Sequence, residues 1–491
     1  MKLSELFENA PDIEIRSLMA DSRKKRPDSI FFCVRGMMFD GHRFIEQAIE
    51  NGAKVIVHSE VLPFMHSEIT YIKVKDVTEV FNQVADAFYG YPSHNMLMFG
   101  ITGTNGKSSV SYIIRDILNH FHPTGYSGTS AVEYGNVKLP PLPATPDIDD
   151  LHGILRDMRD AGMESCALEV SSIAVELNRV KSIDFDAAVF TNLSSDHLDY
   201  HGSMSNYFAA KKKLFDSLKD SAVAVTNADD PYGMRIVADT PAKIVTYGID
   251  NDADYQVVKY QLLKDKTRMT LRIGKMEYEI ETNLVARFNI YNLLAAIAAL
   301  CQFGISITEM LPYLNSLHSV EGRMERISEG QPFNILIDTA HTPDGIERVC
   351  QYAAAITPKG NRIIALTGST GKRDTEKRPV FGRILDRYCD MIILTEDDPR
   401  TEKPRSICLD IAAGIKNTNY IILEDRYDAV RQAVELSDPG DTVLILGKGD
   451  ERFIIREFGR ESYEGDDAVA REVLKKYCFC KENENGTEPL Y

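Results

Sequence analysis

Short apolar runs recur along the chain and set its rhythm. Ile30–Val34, Lys54–His58 and Tyr71–Val74 are brief apolar stretches with polar flanks, and they read as strands. Val77–Phe88 carries apolar residues at helical spacing and predicts a helix, after which Tyr91-Pro92-Ser93 breaks the pattern. Further on, Met96–Phe99 runs into a glycine-rich turn, and a helical pattern follows from Ser108 to Leu118. Cys166–Val170 and Ala187–Thr191 are two more apolar runs that end in polar loops. This alternation belongs to a parallel sheet whose chemistry gathers at the C-terminal ends of its strands. Near residue 320 the rhythm restarts, with candidate strands Ile335–Ile337, Ile363–Leu366, Met391–Leu394, Tyr420–Leu423 and Thr442–Leu446.

The expected fold is therefore α/β in three domains. A small N-terminal α/β domain takes residues 1–92, a central P-loop parallel-sheet domain takes 93–319, and a Rossmann-like α/β domain takes 320–491. The tail KENENGTEPLY reads as disordered. A length of 491 residues accommodates this division.

Charge narrows the function. Lys and Arg number 56 against 73 Asp and Glu, a net charge of −17, which argues against a nucleic-acid binder and against a polybasic membrane-surface protein. The eight cysteines are scattered without a CxxC pair, most of them in apolar runs, which suits buried free thiols rather than a disulfide framework or a zinc ribbon. Cys478 and Cys480 lie in the polar tail, where chance accounts for their spacing. The N-terminus lacks an apolar signal core, and no run reaches the length of a membrane span. The expectation is a reduced, cytoplasmic, soluble protein, and a monomer.

The strongest local motif is Gly100-Ile-Thr-Gly103-Thr104-Asn105-Gly106-Lys107-Ser108-Ser109, between a strand and a helix. Glycines there let backbone N–H groups approach phosphate oxygens, Lys107 suits the outer phosphates, and Ser108 suits Mg²⁺. Ile101 stands where a strict Walker A motif has its first glycine. Glu169 ends a predicted strand beside this loop, which suits Mg²⁺ directly or through water. Asp196-His197-Leu-Asp199-Tyr-His201 is a dense polar loop able to bind metal and phosphate or simply to be solvated. The basic run Lys211-Lys212-Lys213 sits on a predicted helix, where such runs usually face solvent.

At these residues the chain resembles the Mur ligases of peptidoglycan synthesis. TGTNGKS, LEVSS, TNLSSDHLDYHGSM and the YxxAK element carry the likeness in the centre. Ala20-Asp-Ser22-Arg23 with Phe39-Asp-Gly41, then Val320-Glu-Gly322-Arg323, Ala340-His341-Thr-Pro343-Asp344 and Gly447-Lys-Gly449, extend it in order over nearly the whole chain. The N-terminal segment is similar to the branch that adds the third stem-peptide residue. The resemblance implies ATP-driven addition of a diamino acid to UDP-MurNAc-L-Ala-D-Glu through an acyl phosphate. Two other readings are a sister ligase with a different amino acid or substrate, and a nucleotide-binding paralogue without catalysis.

Roles follow from the same resemblance. Gly103, Thr104, Asn105, Gly106, Lys107, Ser108 and Ser109 would bind ATP, with Asn292 on the adenine side and Arg323, Asp338 and His341 from the C-terminal domain. Mg²⁺ would rest on Ser108, Glu169, His197 and Lys211, the last as a CO₂-derived carbamate. Lys107, Lys211, His197 and Glu169 form the implied catalytic set. Ser22, Thr145, Ser171 and Arg179 would meet the UDP-sugar peptide, and Arg373, Asp397, Asp398, Arg400, Gly447 and Glu451 the incoming amino acid. Arg400 favours the second carboxylate of meso-diaminopimelate. Asp398, where the family's diaminopimelate enzymes have Asn, adds a negative charge that favours a bare ammonium, and the balance leans slightly to L-lysine. Ala144, Ile173, Ala286, Thr339 and Asp450 depart from the family pattern and put substrate detail in question.

Overall fold

The protein is described by a computed structural model covering residues 1–36, 39–140, 143–263 and 265–484. Among the described residues three larger sheets succeed one another along the chain. In the first, Ser17–Met19, Ser29–Phe32, Ala53–His58 and Thr70–Lys73 lie in chain order, all parallel. Phe32 stacks on Phe81 of the helix Val77–Phe88, with ring centroids 4.2 Å apart. That helix starts where the Asp76 side chain accepts the Glu79 N–H.

The second sheet has eleven strands. Its strand Leu97–Thr102 lies between Ala187–Phe190 and Ser165–Glu169, both parallel to it. Phe190 pairs with Thr102 and Glu169 with Ile101, so the three strands end almost level and their loops share one edge. The sheet differs from the wholly parallel one expected. Tyr255–Leu262, Thr267–Ile273 and Met276–Thr282 form an antiparallel flank, and Val132–Tyr134 with Val137–Leu139 forms another. Thr267–Ile273 alternates buried Thr267, Met269 and Leu271 with more exposed neighbours, as a strand with one wet face does. The helix Arg287–Leu300 is buried on every side from Leu293 to Leu300 and shares a core with the helix Lys107–Leu118.

The third sheet has the order Glu325–Ile327, Asn334–Asp338, Thr442–Leu446, Ile363–Thr367, Met391–Leu394, Asn419–Ile422. Only the first of these strands is antiparallel. A two-stranded hairpin, Phe453–Arg456 with Gly459–Ser462, follows. The final helix, Asp466–Glu484, enters the segment expected to be disordered, because Val469, Ala470, Val473 and Leu474 anchor it on the sheet. Residues 485–491 lie outside the described residues, as do the side chains of Cys478 and Cys480. The other six cysteines are unbonded. Among the described residues no helix is long and apolar enough to cross a membrane.

Ion pairs join the sheets. Arg26 meets Asp149 at 2.7 Å and Asp150 at 2.9 Å on the helix Ile148–Asp160, and Arg159 of that helix donates to the Gly90 carbonyl at 2.7 Å. The N-terminal sheet is thereby set against the central one.

Candidate functional site

The loop after Leu97–Thr102 is built by two glycines. Gly103 has φ 153° and a Cβ there would come within 1.8 Å of Thr191 Oγ1; Gly106 has φ 88° and opens the helix that starts at Lys107. The neighbouring loop holds this turn in shape. Thr104 N–H donates to the Asn192 carbonyl at 2.8 Å, Asn105 N–H to Asn192 Oδ1 at 3.0 Å, and Thr191 Oγ1 to the Asn105 carbonyl at 2.6 Å. Thr191 and Asn192 therefore brace the P-loop, a role the sequence reading did not assign. Lys107 Nζ curls back onto the Gly103 and Thr104 carbonyls at 3.1 and 2.9 Å.

Around the turn lies a cavity of ≈ 500 Å³ that includes residues from both the central and C-terminal sheets. It brings together Lys107, Ser108, Glu169, His197 and Lys211, which are far apart in sequence. Glu169 is fully buried and accepts from Tyr126 Oη at 2.5 Å, Thr129 N at 3.1 Å and Thr129 Oγ1 at 3.0 Å. Its Oε2 has only the threonine hydroxyl, which leaves a lone pair for a cation. His197 has a left-handed backbone, φ 53°, with Nε2 3.3 Å from Asp196. Burial pushes its imidazole down to about 4 and keeps it in the neutral, ligating form.

Lys211 is the least ordinary residue of the group. It is 1 % exposed, and its Nζ donates to the Gly103 carbonyl at 2.8 Å, 4.8 Å from the Tyr207 ring centre. No carboxylate forms an ion pair with it among the described residues. Burial, then the charge of Lys107, drives its ammonium well below the usual lysine range. Lys212 and Lys213 instead make ordinary ion pairs with Asp239 and Glu176, each at 2.7 Å.

The C-terminal sheet contributes the loops after its strands. Asp338 ends Asn334–Asp338 and accepts from the backbone N–H groups of Met324 and Ala340, each at 2.8 Å. It shapes the loops that carry Arg323 and His341, and both its oxygens are occupied in doing so. Arg323 Nε is buried without a hydrogen-bond partner, and His341 Nδ1 pairs with the Thr339 carbonyl at 2.7 Å, so its Nε2 is the atom left for a ligand. Asn105 Nδ2 reaches Asp344 at 3.1 Å, which ties the P-loop to the C-terminal domain. Asn292 presents Oδ1 2.5 Å from where a Gly106 Cβ would be.

Thr145, Ser171 and Arg179 line the same cavity, together with Ala144 and Ile173. Thr145 Oγ1 bonds the Glu169 carbonyl at 2.8 Å, and Arg179 pairs with Asp147 at 2.6 Å. Ser22 is not part of this lining; it lies in the N-terminal sheet domain, donating to Gln47 at 2.7 Å. Of the amino-acid candidates, Arg373 lines the cavity, whereas Asp397, Asp398, Arg400, Gly447 and Glu451 stand outside that lining.

Asp397, Asp398 and Glu451 surround Lys448, to which the sequence pattern assigns no role. Lys448 is fully buried, bonds Asp398 at 2.8 Å and also pairs with Glu451. The charge of Asp398, the reason for leaning towards L-lysine, is thus paired within the protein, by an ammonium that also lies 3.9 Å from Asp397. Arg400 has no such partner for Nε, which is buried and unbonded, and its backbone is left-handed at φ 55°. Asp450 stands close to Arg323, and burial raises its carboxyl above the usual range.

Comparison with known proteins supplies the remaining observation. Three family models match in order: "Mur ligase family, catalytic domain" over residues 14–89, "Mur ligase middle domain" over 101–300 and "Mur ligase, glutamate ligase domain" over 322–449. A relative from Alkaliphilus metalliredigens is 38% identical over 493 residues, with 97% of this chain and 98% of that protein covered. One from Halalkalibacterium halodurans is 36% identical over 476 residues, with 96% of each covered. Both are named UDP-N-acetylmuramoyl-L-alanyl-D-glutamate--2,6-diaminopimelate ligase. A solved structure of a ligase of that name aligns with TM-score 0.68 and 27% identity over 97% of this chain and 99% of the other. The MurF ligase of Thermotoga maritima, solved with ADP, aligns over 97% of this chain and 100% of its own with TM-score 0.64; at 19% identity it speaks for the fold alone.

Proposed function

The chain belongs to the Mur ligase family, a family of ATP-dependent ligases, and from that premise we propose that it joins meso-diaminopimelate to UDP-MurNAc-L-Ala-D-Glu. The names of the relatives support the diamino acid and the nucleotide-linked acceptor. The observation that carries the choice of amino acid is the Lys448–Asp398 pair. With Asp398 paired to Lys448, and with burial and then the nearby charge of Arg373 lowering the Arg400 guanidinium, the pocket offers positive charge to a second carboxylate. L-Lysine would bring an ammonium to the same place.

On this reading a carboxylate oxygen of the acceptor takes the γ-phosphoryl group of ATP, releasing ADP and leaving an acyl phosphate. The amine of the diamino acid then attacks the carbonyl carbon, the C–O bond to phosphate breaks, and an amide and phosphate result. Lys107 and the P-loop N–H groups orient the polyphosphate, Arg323 and His341 reach it from the facing domain, and Asn292 lies on the adenine side. Ser108, Glu169, His197 and Lys211 as a carbamate would hold Mg²⁺, which when bound offsets the repulsion between polyphosphate and carboxylate. The donor set suits this. The depressed Lys211 amine has the free lone pair that attacks CO₂, and loss of a proton then leaves an anion where an ammonium would repel a cation. Thr145, Ser171 and Arg179 would meet the muramoyl peptide, and Ser22 the uridine end. The functional division follows: 1–92 for the UDP substrate, 93–319 for ATP, 320–491 for the amino acid, in a cytoplasmic setting.

The test is phosphate release with ATP and UDP-MurNAc-L-Ala-D-Glu across a panel of amino acids. meso-Diaminopimelate is expected to be used best. A preference for L-lysine would overturn the amino-acid assignment, and no release with any diamino acid would overturn the ligase reading itself.

A further inference from the structure

The hairpin Phe453–Ser462 does not line the central cavity, yet it is bonded directly to the loop that carries Asp398 and Arg400. Ile455 N–H donates to Asp398 Oδ1 at 2.9 Å, and the Ile455 carbonyl accepts the Arg400 N–H at 2.9 Å. Arg400 and Arg456 form an isolated parallel bridge, so the hairpin adds one rung of sheet to the loop. Arg456 fastens this rung. Its guanidinium takes both oxygens of Glu396, Nη2 at 2.5 Å and Nε at 3.2 Å, and the Glu396 side chain is only 4 % exposed. A third contact, to Glu461, ties the guanidinium to the second strand of its own hairpin.

The fastening matters because Arg400 is held in an unfavourable backbone conformation. A non-glycine residue at φ 55° needs its surroundings to hold it there, and the Ile455 carbonyl is one of the bonds that does so. The loop also sets its neighbour. Gly371 N–H donates to the Asp398 carbonyl at 2.8 Å, and a Cβ on Gly371 would come within 2.0 Å of the Pro399 carbonyl oxygen. Two residues further on is Arg373. The order of support is therefore Arg456 to Glu396, hairpin to Asp398 and Arg400, and Asp398 to the Gly371 turn and Arg373.

We propose that Arg456 is a positioning residue for the incoming amino acid: through Glu396 and the hairpin it holds Arg400, and through the Gly371 turn Arg373, in the geometry that receives carboxylates. The proposal rests on the assignment of this pocket to the diamino acid. Arg456 itself touches no reacting atom, and bidentate pairing with a planar carboxylate is a task lysine cannot reproduce.

The experiment is steady-state phosphate release by the full chain carrying Arg456→Met or Arg456→Lys, with each of the three substrates varied in turn. For Arg456→Met we expect KM for the preferred amino acid to rise about tenfold, with kcat and the KM for ATP within about twofold of the parent. Arg456→Lys should fall between the two, and Glu396→Gln should reproduce the split. An unchanged amino-acid KM, or equal losses for all three substrates in both Arg456→Lys and Glu396→Gln, would overturn the proposal. The amino-acid panel on the parent enzyme tests the pocket assignment separately. A parent that prefers L-lysine and still shows the KM split keeps Arg456 as positioning residue while removing diaminopimelate.

Discussion

Replacing Lys448 by Met tests the electrostatics of the amino-acid end directly. The ammonium is fully buried, 2.8 Å from Asp398 and paired with Glu451, and 4.9 Å from the Phe453 ring centre. At that separation one ion pair is worth about 6 kcal/mol gross at an effective dielectric near 20. Desolvation of both ions offsets most of it, so the net value of the pair is small, but removing one partner leaves the other buried and unpaired. Asp397, 3.9 Å from the ammonium, keeps the Arg426 charge nearby, and Glu451, with 39 % of its side chain exposed, can return to water, whereas Asp398, at 12 %, cannot. One stranded carboxylate sets the expected loss at about 3 kcal/mol, the lower end for a broken buried pair. Urea unfolding followed by far-UV circular dichroism reads it. The double variant Lys448→Met/Asp398→Asn should recover about half of the loss, because the stranded charge is then gone. A second arm measures specificity. If Asp398 is neutralised by Lys448, Asp398→Asn leaves the ratio of diaminopimelate to lysine turnover within about threefold. A loss below about 1 kcal/mol in Lys448→Met, or a switch of amino acid in Asp398→Asn, would refute the reasoning.

Other consequences follow from the same geometry. Lys211→Ala should lose about 100-fold in phosphate release, and formate or acetate should restore part of it by supplying a carboxylate; a fully active variant would remove Lys211 from the site. Gly106→Ala forces a side chain into φ 88° and to within 2.5 Å of Asn292, and is expected to raise the KM for ATP about tenfold or more, read by the same assay. His152 is fully buried between the Ile148 carbonyl and the Ser182 hydroxyl, and burial pushes it down to about 4. Its stabilising contribution is therefore complete above about pH 6.5 and is lost as pH falls to about 4, up to about 3 kcal/mol. Asp149 on the same helix, pushed up to about 6 by burial, acts in the opposite direction, so the readout is the difference between His152→Gln and its parent in melts across this range.

The elements legible in advance were those with a strong local signal. The apolar runs at 54–58, 187–191 and 442–446 and the helix over 77–88 fall on observed elements, because buried parallel strands and amphipathic helices write their burial into consecutive residues. The antiparallel flank from Tyr255 to Thr282 escaped notice, since its residues Lys259, Arg268 and Glu279 look like loop until their cross-strand partners are known. In the site, Lys107 and Ser108 could be read from their motif and are found in the cavity with Glu169, His197 and Lys211. What local sequence could not show is where charges end up. Asp398 was visible as a carboxylate, but its partner lies fifty residues later, in a different loop. Arg456 and Glu396 carry no motif, and only the hairpin's docking brings them together.

The net charge of −17 and polyanionic substrates are reconciled at the level of individual partners. Screening confines the field of an exposed charge to about 8 Å at physiological salt, so the acidic exterior is felt weakly inside an enclosed site. Within the cavity the acids are already engaged. Glu169 has three donors, Asp338 has two backbone N–H groups, and Asp196 accepts the backbone N–H of His197 at 2.9 Å. The cations facing the same space are less well matched: Lys107 bonds carbonyls that phosphate can replace, and Arg323 Nε has no partner. Positive charge that lacks anionic partners inside an acidic shell is stored attraction for an anion, available only to a ligand that enters the cavity. That arrangement suits a nucleoside triphosphate at the P-loop.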